Sequence, residues 1–341
     1  MRTYLEKLKE EKKNRAPEIK KKEIEDRAIS NAQFTTCLID GVQEKVANYC
    51  IEPPGIFRGR GEHPHAGKIK SRIVPEYVAI NVGFDNPIPA CPIPGHAWKK
   101  VINNQEATWL CHFKDENNTY ASSSKYLFLA AESKLKGLND KKKYERARRL
   151  KAIVGDVRED YTKNMKSNDR VNQQLGLATY FIDKLALRVG NEKGEDEADT
   201  VGCCSLRVEH ISLAEENKVT FDFLGKDSMR FFSTVDVDPL VYTTMKLMLF
   251  KYVDGRKVQK EPKDDLFEMI DAGKLNDHFK KHMSDLSAKV FRTYNASVTL
   301  QTQLEEKAGD AMKENSHVDA KVKFFNDCNR DVAILCNHKK T

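Results

Sequence analysis

KVTFDFLGKDSMRFFSTV, residues 218–235, sets Val219, Phe221 and Phe223 on alternate positions, turns through Gly225 to Ser228, and then resumes its alternation. Successive strand residues face opposite sides of a sheet, so period two on both sides of a short turn predicts a β-hairpin. The sequence around it has a different period. In VNQQLGLATYFIDKLALRVG (171–190), Leu175, Ala178, Phe181, Ile182, Leu185 and Val189 recur at spacings of three and four, which predicts a helix over 171–189 stopped by Gly190. A second helix is expected in SAKVFRTYNASVTLQ (287–301), with a buried stripe of Ala288, Phe291, Tyr294 or Asn295, and Val298. The last helix carries a stripe of Val322, Phe325, Val332 and Leu335. One hairpin set into a helical half makes this region α+β in kind.

Upstream, prolines and glycines punctuate short β-like runs: YVAINV (77–82), ATWLCHF (107–113) and KYLFL (125–129). A small β-rich domain is expected over roughly 50–130, with helical periodicity taking over from about 133. Residues 1–30 hold ten Lys/Arg against seven Asp/Glu on a helical composition, which reads as a solvated helix kinked or split at Pro17. No internal repeat and no low-complexity tract is present.

A chain of 341 residues can bury a sizeable core in about two domains. Lys plus Arg exceed Asp plus Glu by 58 to 51, so the formal charge of +7 permits a polyanionic partner without requiring one. Eight cysteines without a CxxC pair, and no apolar leader, fit reduced thiols in a cytosolic or nuclear protein. The N-x-S/T sequences at Asn117 and Asn295 then read as ordinary polar stretches. No apolar run approaches membrane-spanning length.

Four protonatable groups stand at element ends beside apolar stretches that would fix them. Arg188 is expected in the last turn of the 171–189 helix, Lys226 at the hairpin tip, Arg292 on the FRTYNAS helix, and His338 at the close of the final helix. Singly, each has a bland explanation, since charged residues at element ends are commonplace. Gathered around one point, two arginines, a lysine and a histidine without paired carboxylates suit a phosphodiester whose non-bridging oxygens gain charge in the transition state. The lysine could protonate a leaving oxygen.

Other sites read more weakly. HFKKH puts His278 and His282 at i,i+4, but it lacks the zincin glutamate and no third ligand is evident, so a solvated face is expected. His63 and His65 in GEHPHAG sit among Arg and Lys, which disfavours a cation. FRGRG has too few glycines in frame for a P-loop, and no GxGxxG follows a strand.

At these residues the sequence resembles the core of eukaryotic type IB DNA topoisomerases. The segments IEPPGIFRGRGEHP (51–64), KYERARRLK (143–151), YFIDKLALRVGNEK (180–193), ADTVGCCSLRVEHI (198–211), FDFLGKDS (221–228), AKVFRTYNAS (288–297) and AILCNH (333–338) are similar to family segments, in family order. The resemblance implies that Arg188, Arg292 and His338 stabilise a pentacoordinate phosphorus and that Lys226 is the general acid toward the 5′ oxygen. It implies DNA contacts at Arg60, Trp109, Lys125, Tyr126, Lys143, Asn191, Glu192, Lys193, Thr200, Asp227, Ser287, Ala288 and Lys289, mostly to phosphate and sugar. Arg60 and Asp227 also resemble positions around the camptothecin-type inhibitor site.

The implied architecture is a helical remnant of a cap subdomain over 1–20, a β-rich core subdomain over 21–132, and a mainly α catalytic subdomain over 133–341. It is the fold that tyrosine recombinases share. The implied reaction relaxes supercoiled DNA through a transient 3′-phosphotyrosyl link and needs neither ATP nor metal. The family's nucleophilic tyrosine, in an SKxNYxDP-like motif, has no counterpart after His338, where only Lys339, Lys340 and Thr341 follow. Some family members divide core and tyrosine between a large and a small subunit. The expectation is therefore a chain that binds double-stranded DNA and shapes the pocket, acting in the nucleus or on organellar DNA, with a tyrosine-bearing partner completing it. A tyrosine recombinase core is disfavoured by Lys289-Val290-Phe291-Arg292 where recombinases show HxxR. An inactive DNA-binding remnant is the alternative from another class.

Overall fold

The structure, a computed structural model, describes residues 16–51, 53–114, 124–195, 197–307 and 317–338. They form two compact units, one made of the residues up to Ile56 with Ile69–Asn139, the other of Phe57–Lys68 with the residues from Asp140 onward.

The first unit opens with helix α1 (Pro17–Asn31), which buries none of its residues, as a highly charged sequence dictates. It starts at Pro17, where proline's missing N–H costs nothing. Residues 1–15, the rest of the expected N-terminal helix, lie outside the described residues. Strands β1 (Thr36–Ile39) and β2 (Val42–Lys45) pair through the two-residue turn Asp40-Gly41, both at positive φ (49° and 75°), as a twist-matched hairpin requires. Strands β3 (Gly55–Ile56) and β4 (Ile69–Lys70) form a short ladder. Then β5 (Val78–Asn81), β6 (Lys100–Ile102), β7 (Trp109–Phe113) and β8 (Lys125–Phe128) assemble in the order β6-β5-β7-β8, with β5 and β6 parallel and the other pairs antiparallel. Its core is small, centred on Val46, Val78, Ala79, Ile80 and Leu129. The sequon at Asn117 lies outside the described residues.

The second unit holds most of helix α2 (Lys134–Met165), whose buried face of Ala147, Leu150, Val154, Val157, Tyr161 and Met165 keeps the three-and-four spacing of one helix side. Helix α3 (Arg170–Lys184) starts at Asp169, whose side chain accepts the Val171 amide. Leu177, Ala178, Phe181 and Ile182 are fully buried on it. This helix ends before the expected residue 189. Leu185 caps it, Ala186 turns the chain at φ 50°, and Ala186 and Leu187 drop into the core, so burial of those two residues overrides further helical winding. The quoted hairpin is present as β10 (Lys218–Leu224) and β11 (Arg230–Asp236), joined by an unanticipated β9 (Ile211–Leu213) in the order β11-β10-β9. Helix α4 (Pro239–Met248) and the hairpin β12 (Phe250–Val253) and β13 (Arg256–Gln259) follow, and then helices α5 (Ala272–Lys280), α6 (Ala288–Glu306) and α7 (Val318–Leu335).

Phe181, Phe221, Phe279 and Phe291, one from each of α3, β10, α5 and α6, are fully buried in a shared apolar cluster. Each such side chain stabilises the fold by roughly 1.5–3 kcal/mol relative to exposure. Asp183 is also buried, held by Arg158 at 2.9 Å and by the Tyr161 hydroxyl at 3.3 Å. The stripe expected on the last helix is overturned in its first half. Val322 and Phe325 are 52% and 48% exposed, whereas Cys328 and Cys336 further along the helix are buried.

Candidate active-site cavity

A cavity of about 250 Å³ in the second unit is lined by Ala186–Arg188, Val201–Gly202, side chains of the hairpin from Phe223 to Phe231, Arg292, and Leu335–His338. Four stretches far apart in sequence thus bring Arg188, Lys226, Arg292 and His338 to one place.

Arg188 rides on the extended segment that follows α3. Its carbonyl accepts the Cys203 amide at 2.8 Å and the Val189 carbonyl accepts the Cys204 amide at 2.7 Å. Gly190 and Gly202 allow this pairing. A Cβ on Gly202 would stand 2.5 Å from backbone atoms of Gly190, so both positions must lack a side chain for the two segments to touch.

Lys226 stands at the hairpin turn, closed by the Gly225 amide donating to the Met229 carbonyl at 2.9 Å. Asp227 and Ser228 take positive φ (65° and 57°), which turns the strand direction within few residues. The alternation beneath it places Phe223 and Phe231 in a stacked pair with centroids 5.1 Å apart, an apolar footing for the exposed ammonium. Asp227 Oδ1 meets the Arg60 guanidinium at 2.5 Å, and the Ser228 hydroxyl donates to the Arg60 carbonyl at 3.2 Å.

Arg292 comes from the first turns of α6. One guanidinium nitrogen donates to the Ala186 carbonyl and another to the Cys336 carbonyl at 3.1 Å. Its protonated form is disfavoured by burial first and by the Arg188 charge second, so its pKa lies below the ordinary arginine range. His338 lies beyond the end of α7, its amide donating to the Ala333 carbonyl at 2.8 Å, with Asn337 turned at φ 50°. Burial, then the charges of Arg292, Arg188 and Lys226, push its pKa below the usual histidine value. The imidazole is therefore neutral near pH 7 and able to donate one N–H. A pocket with three cations and one neutral imidazole favours an anion, because each cation raises the cost of the others until a negative group arrives.

The remaining candidates divide by unit. In the first, Trp109, His112 and Tyr126 form one aromatic cluster with centroids 5.0–6.0 Å apart, and Phe128 stacks on Tyr126 at 5.9 Å. A bulge between Trp109 and Cys111 brings Trp109 and His112 to one face, which their odd spacing would otherwise prevent. Sequence reasoning named Trp109, Lys125 and Tyr126 but missed His112, because strict alternation does not reveal a bulge, and left unread Phe128, which plain alternation with Tyr126 places on the same face. Lys125 is exposed on β8.

In the second unit, Lys143 is half-buried, paired with Asp140 at 3.2 Å and set over the Tyr144 ring at 4.5 Å. Asn191, Glu192 and Lys193 are exposed, with Lys193 3.6 Å from Glu197. Thr200 precedes the cavity-lining Val201. Ser287 caps α6 without a side-chain bond, Ala288 buries its methyl and gives its amide to Asn276 at 3.1 Å, and Lys289 is exposed. None of these seven, nor Lys143 and Arg60, lines the cavity itself. Met229, Asn337 and the two phenylalanines of the hairpin do, although sequence reasoning assigned them no place there.

His63 and His65 serve the local turn, with His63 Nδ1 accepting the His65 amide at 3.1 Å. The solvated face expected for HFKKH is overturned. His278 is 7% exposed, and a third group, Asp160 of α2, reaches both histidines. Sequence spacing could not reveal it, since Asp160 comes from another helix.

The matches to known proteins extend over nearly the whole chain. The profile described as eukaryotic DNA topoisomerase I, catalytic core, matches residues 132–341, and that described as eukaryotic DNA topoisomerase I, DNA binding fragment, matches residues 1–129. The chain is 46% identical over 333 residues to DNA topoisomerase 1 beta of Arabidopsis thaliana, covering 98% of this chain and 35% of that one. It is 46% identical over 341 residues to DNA topoisomerase 1 of Candidozyma auris, and 45% identical over 346 residues to DNA topoisomerase 1 of Homo sapiens, in each case covering 100% of this chain and 43% of the relative. It thus spans less than half the length of the relatives it matches. The chain belongs to the eukaryotic type IB DNA topoisomerase family, and its residues correspond to that family's core.

Proposed function

We propose that this chain grips duplex DNA and activates one backbone phosphodiester for strand cleavage in the relaxation of supercoiled DNA. The observation that carries the reading is the convergence of Arg188, Lys226, Arg292 and His338 on one cavity of about 250 Å³. Among the described residues its one lining carboxylate, Asp227, is already engaged by Arg60. Arg188, Arg292 and the His338 N–H would hold the non-bridging oxygens as negative charge builds on them, an electrostatic contribution that fixed donors make without reorganising. Lys226, on a four-carbon stem at a turn, would protonate the departing 5′ oxygen.

The nucleophile is a tyrosine from outside these residues, carried on a partner subunit or a further segment. Among the described residues no tyrosine lines the cavity. Its attack on phosphorus gives a 3′-phosphotyrosyl link, the 5′ end rotates to release torsion, and return of the 5′ hydroxyl expels the tyrosine. Bond energy is conserved in the link, so the cycle has no call for ATP. Without the tyrosine the chain binds but does not cut, since no activated hydroxyl is held in line. The Arg60–Asp227 pair at the turn would neighbour a camptothecin-type inhibitor, and the setting is nuclear or organellar DNA.

The test mixes the purified chain with a tyrosine-bearing C-terminal fragment of a family member and supercoiled plasmid. Relaxation only in the mixture, abolished by Lys226→Ala, supports the reading. A folded mixture that binds DNA and never relaxes it would mark the chain as an inactive DNA-binding remnant.

A further inference from the structure

The two histidines of HFKKH take no part in the cavity, yet they converge on an acid from another helix. His278 sits near the end of α5 and His282 just beyond it, and Asp160 reaches them from α2. His278 Nε2 lies 3.0 Å and His282 Nε2 3.3 Å from Asp160 Oδ2, and one ligand atom from each of the three residues lies within 4.8 Å of the others. Donor atoms around a tetrahedral zinc with bonds of roughly 2.0–2.2 Å stand about 3.3–3.5 Å apart. The two histidine–aspartate distances are close to that figure, and ligand atoms of the two histidines lie within 4.8 Å of each other.

His278 supplies the second observation. It is 93% buried by its 7% exposure, and neither ring nitrogen makes a directed hydrogen bond, although Nε2 is 3.0 Å from the aspartate oxygen. A buried ring that has lost water without gaining an aligned partner is costly. Close approach of nitrogen and oxygen without alignment is how two donors stand when both lone pairs address a third point. Asn164 Nδ2 donates to the same carboxylate at 2.9 Å, fixing its orientation as the outer partners of metal ligands do. Asp160 and His282 keep 33% and 17% of their side chains exposed, which leaves an entry path.

We infer that Asp160, His278 and His282 form a binding site for one divalent transition-metal ion of the zinc class, with a fourth position open to water. The site stands apart from the cavity, since none of the three lines it. The ion braces structure and takes no step in the reaction. It joins α2 to α5, and α5 supports the start of α6. Phe279 packs on Phe291 with centroids 5.0 Å apart, and Asn276 accepts the Ala288 amide. Arg292 follows Phe291 directly, so the bound ion stiffens the platform from which that guanidinium projects.

The experiment strips the full chain with a chelator, keeps its cysteines reduced, and titrates Zn²⁺ by calorimetry and Co²⁺ by visible absorption. One equivalent is expected, with the d–d bands of a four-coordinate nitrogen and oxygen site and no thiolate charge-transfer band. His282→Ala removes that equivalent, while Asn164→Ala weakens it by about 10–100-fold. Zn²⁺ also raises the Tm of the wild-type chain and leaves that of His282→Ala unchanged. Circular dichroism of the metal-free variants establishes that they fold, and Asn164→Ala serves as the comparison if His282→Ala does not. Binding equal in wild type and variants, or a cobalt spectrum of thiolate type alone, overturns the site.

Discussion

Arg292 donates through Nη2 to the Cys336 carbonyl at 3.1 Å while a second nitrogen of the same guanidinium serves the Ala186 carbonyl. One side chain from α6 therefore ties together the segment that carries Arg188 and the end of α7 that carries His338. It is a wall of the cavity and a clamp on two of its other walls. A lysine ammonium is a single point of charge and cannot span both carbonyls. Arg292→Lys is expected to abolish relaxation in the complemented assay and to lower stability by about 1.5–3 kcal/mol, the worth of hydrogen bonds to a charged group. Arg188→Ala removes an exposed cation and is expected to shift stability by no more than about 0.5 kcal/mol. Urea denaturation of the two variants separates clamp from phosphate grip. Cleavage should be lost in both. Duplex binding should stay nearly intact in Arg188→Ala, because one phosphate contact is a small share of the total.

Glycine substitutions provide an independent check on the Arg188 wall. A Cβ at position 202 would stand 2.5 Å from Gly190 backbone, whereas one at position 155, on the exposed side of α2, meets nothing within 4 Å. Gly202→Ala is expected to destabilise by about 1–3 kcal/mol or more, as overpacking does, and to lose relaxation activity by moving the Arg188 segment. Gly155→Ala is expected to stabilise by up to about 1 kcal/mol, the helix-propensity difference. Thermal melts of both, with Gly155→Ala retaining activity, test whether the contact between the two glycines matters as a contact.

The quoted hairpin was legible because its core side and its turn both follow simple rules: Phe221 and Phe223 alternate inward and Gly225 marks the reversal. The four cavity residues were legible as types at element ends, and the family resemblance named them as a set. Other features obeyed rules that were present but unread. Asp40-Gly41 and Asp254-Gly255 each join a two-residue hairpin with both residues at positive φ, a pairing that the Asp-Gly dipeptide favours. The bulge before Cys111, the end of α3 at Leu185 and the approach of Asp160 to His278 depend on tertiary partners, so no local pattern encodes them. Helix α3 is instructive: Leu185 and Val189 continue the helical spacing, yet burial of Ala186 and Leu187 decides the backbone.

Stability should fall on mild acidification. His63, His112, His210, His278 and His338 all have pKa values below the ordinary 6.5, with burial as the leading cause in each. Well above pH 6.5 neither state of the chain protonates them appreciably. As pH drops below that value the unfolded chain takes up protons before the folded one, so the equilibrium shifts toward unfolding until the lowered folded values are passed. The denaturation midpoint is expected to decline between about pH 7 and 5.5, with the m-value unchanged. His338→Asn should leave most of the decline, since the other four histidines remain. A flat profile over this range would contradict the burial assigned to these rings. In the DNA complex the His338 shift should reverse, because a phosphate beside the ring favours its protonated form. Imidazole NMR titration with and without a duplex reads that change directly.

The Arg60–Asp227 pair bears on affinity more than on folding. Its side chains are 68% and 46% exposed, and exposed ion pairs contribute at most about 1 kcal/mol. Asp227 also sits at φ 65°, a conformation that asparagine accepts and most residues do not. Asp227→Asn is therefore expected to preserve the melting temperature. It frees Arg60 from its carboxylate, so duplex affinity at low salt should stay level or rise. Arg60→Ala acts in the opposite sense: a phosphate-binding cation is removed, and the slope of log K against log salt should become shallower by about 0.9. Fluorescence anisotropy of a labelled duplex between about 50 and 200 mM salt distinguishes the cases. If Arg60→Ala leaves the slope unchanged, Arg60 does not contact phosphate and its role is confined to holding Asp227 and the Lys226 turn in place.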